Sequence, residues 1–519
     1  MDLGASETPA EAPPGDAPRR EAPAREPAPP IAWRPLGAVA GATAAVLVAF
    51  SGRYGYHRDE LYYLVAGRHP AWGYDDQPPL IPAIARVMNA VANGSLVALR
   101  LPTALVVAAT VLLVGLLARE LGGRHGAQLL AAACWATSPF TLISGHLLST
   151  TPFDVLFWTL LAYLLARWIR TRDDRLLLAL GPVLGIGMLN KNLPLLYAVA
   201  LLAGVAVAGP RAVLRRPHLW IAAAVAAAVW APNLWWQATH RWPQLEMTAA
   251  IRADADFGGR SGLVPSQLLL MGPPLAPFWI AGLGLLIGAA ELRPFRAFGW
   301  AYLFTLALVL ATGGREYYPA GAYPALFAAG AIGAVRWAAA PARWRRGAIG
   351  AALTLNAAAS VVLGLPIYPA GTLARTPQAA VNYDAGETVG WPELTATVAA
   401  VYRSLPADER ARAVILTDNY GEAGAIDRYG RGLGLPVPYS GHNAYWRWGP
   451  PPESEDAPVI LVGRWSEEEL APYCGSVTRA ATNDNGYGLD NDEQGTPIWL
   501  CRDRRHPWAQ TWPDVRHLG

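Results

Sequence analysis

Acidic side chains, an arginine and two tyrosines crowd into His57-Arg58-Asp59-Glu60-Leu61-Tyr62-Tyr63, and a second polar run, Trp72-Gly73-Tyr74-Asp75-Asp76-Gln77-Pro78-Pro79-Leu80, follows close behind. Both come directly after the first strongly apolar segment of the chain. Carboxylates are costly beside a bilayer and are kept there for a use, so the cluster reads as a functional site at the membrane face. The plainer reading is a solvated amphipathic helix whose Leu61, Leu64 and Val65 rest on the bilayer.

The elements that must carry these residues are set by composition. The 519 residues are 53% hydrophobic and 16% charged, with 21 tryptophans, the profile of a polytopic membrane protein. A net charge of +3 is too small to argue for nucleic acid. Lys191 is the only lysine, so nearly all basic charge is arginine. Residues 1–30, rich in Pro, Ala and charge, are expected to form a disordered cytoplasmic tail without a cleavable signal.

Apolar runs long enough to cross about 30 Å of hydrocarbon recur through residues 31–367. They are read near 35–51, 96–118, 126–146, 152–170, 176–190, 192–209, 218–238, 266–288, 297–312, 319–338 and 347–367. Asn190-Lys191-Asn192 interrupts one long run, and splitting it there gives about eleven helices. Under that count Arg119 and Arg124, Arg167 to Arg175, Arg211 to Arg216, Arg293 and Arg296, and Arg336 to Arg346 all fall on the side of Arg34. Clustered arginine marks the cytoplasmic side, which places the 52–95 loop, the 239–265 loop, Arg315 and the tail outside, in an inner-membrane protein.

The tail, 368–519, differs in kind. Ala413–Leu416, Pro458–Val462 and Pro497–Leu500 are short β-type runs, and Pro392–Ser404 and Ser466–Leu470 have helical patterns, so a small extracytoplasmic α/β domain is expected. Cys474 and Cys501 lie in it. They are either a disulfide, worth about 3 kcal/mol, or two free buried thiols. His442-Asn443-Ala444-Tyr445-Trp446-Arg447-Trp448 can stack on a sugar or anchor at the interface. The Asn/Asp-rich runs at 483–486 and 490–493 lack EF-hand spacing and read as turns.

Asp59-Glu60, the Asp76-Gln77-Pro78-Pro79-Leu80 segment, the polar start of the fourth span, and Arg315-Glu316-Tyr317-Tyr318 before Tyr323-Pro324-Ala325-Leu326 resemble, in order, glycosyltransferase family 39. Its members are membrane enzymes of the C-type glycosyltransferase fold, including protein O-mannosyltransferases and lipid A aminoarabinose transferases. The resemblance implies a polyprenyl-phosphate sugar as donor and a glycan, lipid or protein as acceptor, among membrane lipids. It makes Asp59 the general base, with Glu60, Asp76 and Asp154 as companion catalytic carboxylates and an inverting in-line attack. Departure of the lipid phosphate needs positive charge, for which Arg58, Lys191, Arg315 and Tyr318 are the candidates. Tyr62, Tyr74 and Trp446 are candidate contacts to sugar or acceptor.

Several positions keep a second explanation. Thr151 as N-cap, Pro152 at N1 and Asp154 at N3 would suit a helix start without catalysis. Lys191 can snorkel at a helix break. Gln77 stands where relatives often carry His or Lys, which weakens a metal or phosphate role there. His57 and His240 could ligate a divalent metal only if the fold joined them, and no other donor set supports one, so no cofactor is assigned. The rival function is a transporter or lipid flippase using these carboxylates for proton coupling; a third is a non-catalytic relative whose tail binds cell-wall glycan.

Overall fold

The computed structural model describes residues 28–253, 259–454 and 457–519. The N-terminal tail, expected to be disordered, lies outside the described residues apart from its last few, as does the 254–258 stretch of the 239–265 loop.

Every apolar run read from the sequence is helical. Those used below are α1 (Trp33–Phe50), α2 (Arg58–Ala66), α3 (Leu80–Val91), α4 (Leu96–Glu120), α5 (His125–Ala136), α6 (Pro139–Gly145), α7 (Thr150–Thr171), α8 (Arg175–Met188), α9 (Leu193–Ala208) and α10 (Pro217–Thr239). Against the about eleven helices read from the sequence, length and composition give fewer that can each cross alone. Among the described residues six helices are long and apolar enough to cross a membrane, or up to eight if each bent pair is one span. α5 and α6 form one such pair, bent by 57° where Pro139 interrupts the run. α8 and α9 have 14 and 16 residues, about 21 and 24 Å, short of a full crossing.

α2 is not part of the bundle. It lies across the end of it, between α1 and α3, in the first loop. His57 caps it: its Nδ1 accepts the Asp59 N–H, while the Glu60 carboxylate accepts the His57 N–H. This fixes the helix start, so Asp59, Tyr62 and Tyr63 fall on one face at i, i+3 and i+4.

The C-terminal domain is a five-stranded sheet in the order β2-β1-β3-β5-β4, from β1 (Val414–Thr417), β2 (Pro438–Ser440), β3 (Val459–Val462), β4 (Cys474–Thr482) and β5 (Pro497–Arg504). β2 and β3 pair parallel with β1, and β5 pairs antiparallel with both β3 and β4. The three runs expected from sequence are the buried central strands. The two missed ones are the edges: β4 is largely exposed and so lacks an apolar signature, and β2 is a buried run of only three residues, Pro438–Ser440. Cys474 and Cys501 are joined as a disulfide between β4 and β5.

One face of this sheet packs on the Trp391–Ser404 and Tyr420–Tyr429 helices. The same apolar cluster continues into Leu61, Tyr62 and Val65 of α2. Helix Tyr420–Tyr429 reaches α2 because two positions facing it are glycine. A Cβ at Gly421 would sit 2.8 Å from Arg58 Cβ, and one at Gly424 would sit 2.7 Å from Leu61 Cβ. Ion pairs frame this contact. Arg447 grips fully buried Asp75 in bidentate fashion at 2.5 and 2.8 Å, Arg516 bonds Glu246 at 2.6 Å, and Arg58 bonds Asp492 at 2.7 Å.

Removing Arg447 would strand most of the charge of Asp75 in a dry site, a loss on the order of 3 kcal/mol. Arg447→Ala is expected to lower the melting temperature and open the C-terminal domain to limited proteolysis. An unchanged melting curve and digestion pattern would show that the pair does not hold the domain to the loop.

Candidate active site

α2 presents Asp59 and Tyr62 to the C-terminal domain, and the turn that follows brings Asp76 back beside them. Asp59 keeps about a third of its side chain exposed, and its Oδ1 accepts the Tyr420 hydroxyl at 2.8 Å. The Tyr62 hydroxyl donates to Asp76 Oδ1 at 2.5 Å, and the Tyr62 and Tyr420 rings lie 5.0 Å apart. Two carboxylates are thus each held by a phenol, with the phenols in contact.

Burial is the main influence on Asp76 and pushes it up to about 7; the Tyr62 hydrogen bond opposes this, and the charges of Asp75 and Asp59 add to it. Burial also raises Tyr63 well above an ordinary phenol, with Asp59 and then Asp76 contributing, so the ring sits among both carboxylates and stays protonated.

A second group faces these from the bundle. Asp154 on α7 is buried and accepts the Trp158 indole N–H at 3.1 Å; the charge acting on it most is that of Lys191. Lys191 stands at the α8–α9 break with its ammonium over the Tyr317 and Tyr318 rings, 5.0 and 5.2 Å from their centroids. Asn190 fixes that break by donating to the Thr150 carbonyl at 2.9 Å. The two groups meet at Tyr317: burial raises its phenol, Arg315 lowers it and Asp59 raises it. Burial also raises Tyr318, to about 12, Tyr317 adds to this, and Lys191 and Arg315 oppose it. The charge of Asp59 thus acts on Tyr317, and those of Lys191, Arg315 and Asp154 on Tyr318, which links the loop carboxylate to the cationic, phenolic group through the two adjacent tyrosines.

Other expected members have different surroundings. The Glu60 carboxylate is fully buried and accepts Arg100 Nε at 2.8 Å, Arg100 Nη2 at 2.7 Å, the Leu148 N–H at 2.9 Å and the His57 N–H at 3.0 Å. With four donors on two oxygens it has no lone pair to spare for catalysis. Arg58, a candidate for phosphate, instead pairs with Asp492 and lies over the Tyr383 ring at 5.6 Å. Tyr74 donates its hydroxyl to the Ala66 and His69 carbonyls and braces the turn after α2. Trp446 interlocks with Trp512, each indole donating to the other's carbonyl, and so belongs to the core of the C-terminal domain. Its neighbours Tyr445 and Trp448 reach Tyr62, at 6.2 and 6.3 Å between ring centres.

The helix start at Asp154 is also corrected. α7 begins at Thr150 after Ser149, so Asp154 lies beyond the first turn and its carboxylate bonds Trp158 rather than the helix N-terminus. Capping does not account for it. His57 is spent on the α2 cap and His240 stacks on Trp236 at 4.1 Å, and no group of three or more metal-type ligands occurs among the described residues.

Arg100 and Tyr420 escaped the sequence reading, which named Tyr63, Asp75 and Tyr317 within its motifs but gave them no role of their own. Arg100 had a signal, a lone cation inside an apolar run. Tyr420 had none, since 361 residues separate it from Asp59.

Residues 76–236 match the family model described as dolichyl-phosphate-mannose-protein mannosyltransferase. No curated protein matches the sequence. Among solved structures, ArnT from Cupriavidus metallidurans bound to undecaprenyl phosphate is similar with a TM-score of 0.58 and 16% identity, over 90% of this chain and 97% of that one. The arabinofuranosyltransferase AftD from Mycobacteria has a TM-score of 0.51 and 14% identity, over 93% of this chain and 41% of that one. At such identities the likeness shows a shared fold. This chain accordingly has the fold of the C-type membrane glycosyltransferases, and resembles them in its matched segment as well.

Proposed function

We propose that this protein transfers a sugar from a polyprenyl-phosphate donor to an acceptor hydroxyl at the outer face of the cytoplasmic membrane, with inversion. The observation that carries this reading is the partly open Asp59 carboxylate, tied at one oxygen by Tyr420 and close enough for its charge to act on Tyr317, over whose ring the Lys191 ammonium lies. A base and a phosphate cradle are what the reaction needs, on opposite sides of an anomeric carbon. The lipid-phosphate ligand of the ArnT structure and the lipid-phosphate mannose named in the family description point to the same donor class.

In this reading Asp59 takes the acceptor hydroxyl proton as its oxygen attacks the anomeric carbon. The bond from that carbon to the phosphate oxygen breaks, and its electron pair leaves with the polyprenyl phosphate. Lys191, Arg315 and the Tyr318 hydroxyl offset the charge gathering on that phosphate. Phosphate is a good leaving group, so no general acid is required. Asp76, near neutral pH partly protonated, keeps a second full negative charge from standing beside Asp59. Asp154 holds the Lys191 side in register. The acceptor class and the sugar, hexose or pentose, follow from whichever donor is consumed.

Asp59→Asn keeps size and the Tyr420 contact but removes the base, and is expected to slow turnover by about 10²–10⁴-fold. Donor binding should persist, while Lys191→Ala should weaken binding and turnover together. The assay is release of polyprenyl phosphate from polyprenyl-phosphate mannose and arabinofuranose with a cell-envelope extract as acceptor. Near-normal turnover by Asp59→Asn would remove the reading.

The Asp76 shift has a sign that stability measurements can read. Its carboxyl is raised from 3.8 in the unfolded chain to about 7 in the fold, so the unfolded state loses this proton first as pH rises. Its contribution is full below the unfolded value and is lost as pH rises through about 7. Asp76→Asn, which never ionises, should raise the melting temperature progressively over wild type between pH 4 and pH 8; a gain that does not vary with pH would refute the buried carboxyl.

Orientation has its own test. Single cysteines in place of Arg215 and Glu453 should differ in intact cells, with only position 453 labelled by an impermeant maleimide. The reverse pattern would move Asp59 to the cytoplasm.

A further inference from the structure

We infer that Tyr420, carried by the C-terminal domain, is a positioning residue for Asp59, so that the catalytic site is complete only with that domain docked. The inference rests on the reading of Asp59 as the base.

The chain fixes Tyr420 locally before it meets Asp59. β1 ends at Thr417, and Asn419 caps the next helix: its Oδ1 accepts the Glu422 N–H at 2.9 Å, and Glu422 returns the bond to the Asn419 N–H at 3.1 Å. That reciprocal cap makes Tyr420 the first residue of the helix, with its hydroxyl directed at Asp59 of α2. Gly421 and Gly424 then allow the two helices to close until Leu61 and Arg58 touch the helix backbone. The ring is held between Tyr62 at 5.0 Å and His442 at 4.7 Å, which leaves its hydroxyl little freedom.

A phenol so placed acts as a donor. Burial raises Tyr420 well above an ordinary phenol and Asp59 raises it further, so the proton stays on the hydroxyl and the hydrogen bond runs from Tyr420 to Asp59 Oδ1. With Oδ1 occupied, Oδ2 is the oxygen turned to the acceptor, 3.9 Å from the Nδ1 of His57. A lone carboxylate on a short loop helix would rotate; this one is clamped, and a fixed base shortens the search for a productive geometry. The neighbouring Tyr62–Asp76 bond repeats the arrangement from within the loop, and contact of the two rings couples them.

The test is a double-mutant cycle on the full-length purified protein, read as release of polyprenyl phosphate from the same two donors. Tyr420→Phe keeps the ring and deletes only the hydroxyl. A hydrogen bond to a charged group is worth enough to lower kcat by about 10- to 100-fold, with the donor KM within about twofold of wild type. In the Asp59→Asn background the same substitution should cost nothing further, because Tyr420 acts through the carboxylate. Full activity of Tyr420→Phe beside an inactive Asp59→Asn would overturn the inference and leave the reading of Asp59 intact. Losses that multiply in the double variant, or a raised donor KM with loss of monodispersity, would show a structural part only and overturn it as well. Normal turnover in both single variants would instead remove the reading on which it rests.

Discussion

A fully buried ion pair between Glu60 and Arg100 sets where the first loop can lie. Arg100 lies just past the first turn of α4, and its guanidinium also bonds the Ser51 and Gly55 carbonyls, at 2.8 Å each. Glu60 answers with bonds to the chain entering α2 and to Leu148, just before α7. One carboxylate and one guanidinium thus tie the end of α1, the start of α2, α4 and the approach to α7 at a single point. Neither charge can leave alone, since breaking a fully buried pair costs about 3–5 kcal/mol. The adjacent Asp59 inherits a rigid platform from this arrangement while remaining open itself.

On that platform the C-terminal domain completes the site from above. Its contact with α2 is apolar at the centre, through Leu61 and the Tyr62 ring, and ionic at the margin, where Arg447 and Asp75, Arg516 and Glu246, and Arg58 and Asp492 meet. The division is physically sensible. Apolar burial supplies the attraction without direction, while the bidentate arginine fixes the rotation of one body on the other. Hydroxyl–carboxylate bonds need an alignment of a few tenths of an ångström, and the framed contact provides it for Tyr420.

Adjacent acidic residues in this chain have unlike fates, and environment decides each. Asp59 and Glu60 are neighbours on one helix, yet one is a third exposed and the other wholly enclosed by four donors. Asp75 and Asp76 differ in the same way: the first is neutralised by Arg447, whereas the second has only a phenol for company and is pushed towards neutrality by burial. Glu60 and Asp75 each meet an arginine, whereas Asp59 and Asp76 each meet a tyrosine hydroxyl. That distinction lies in what surrounds the residue, because a turn of helix rotates consecutive side chains by about 100° into different surroundings.

The sequence by itself determined the membrane bundle, the helical identity of each apolar run, the C-terminal sheet's buried strands and the crowding of acidic and tyrosine side chains around Asp59 and Asp76. These are properties of composition and short-range periodicity, which a few residues in a row express. Tertiary structure alone decided that the short β2 and the exposed β4 join the sheet as its edges. It also decided that Glu60 pairs with Arg100 and Arg58 with Asp492, while Tyr420 reaches Asp59. Those outcomes depend on which side chains face each other across hundreds of residues, and a hydrogen bond or buried ion pair is made by position in space, to which spacing along the chain gives no access.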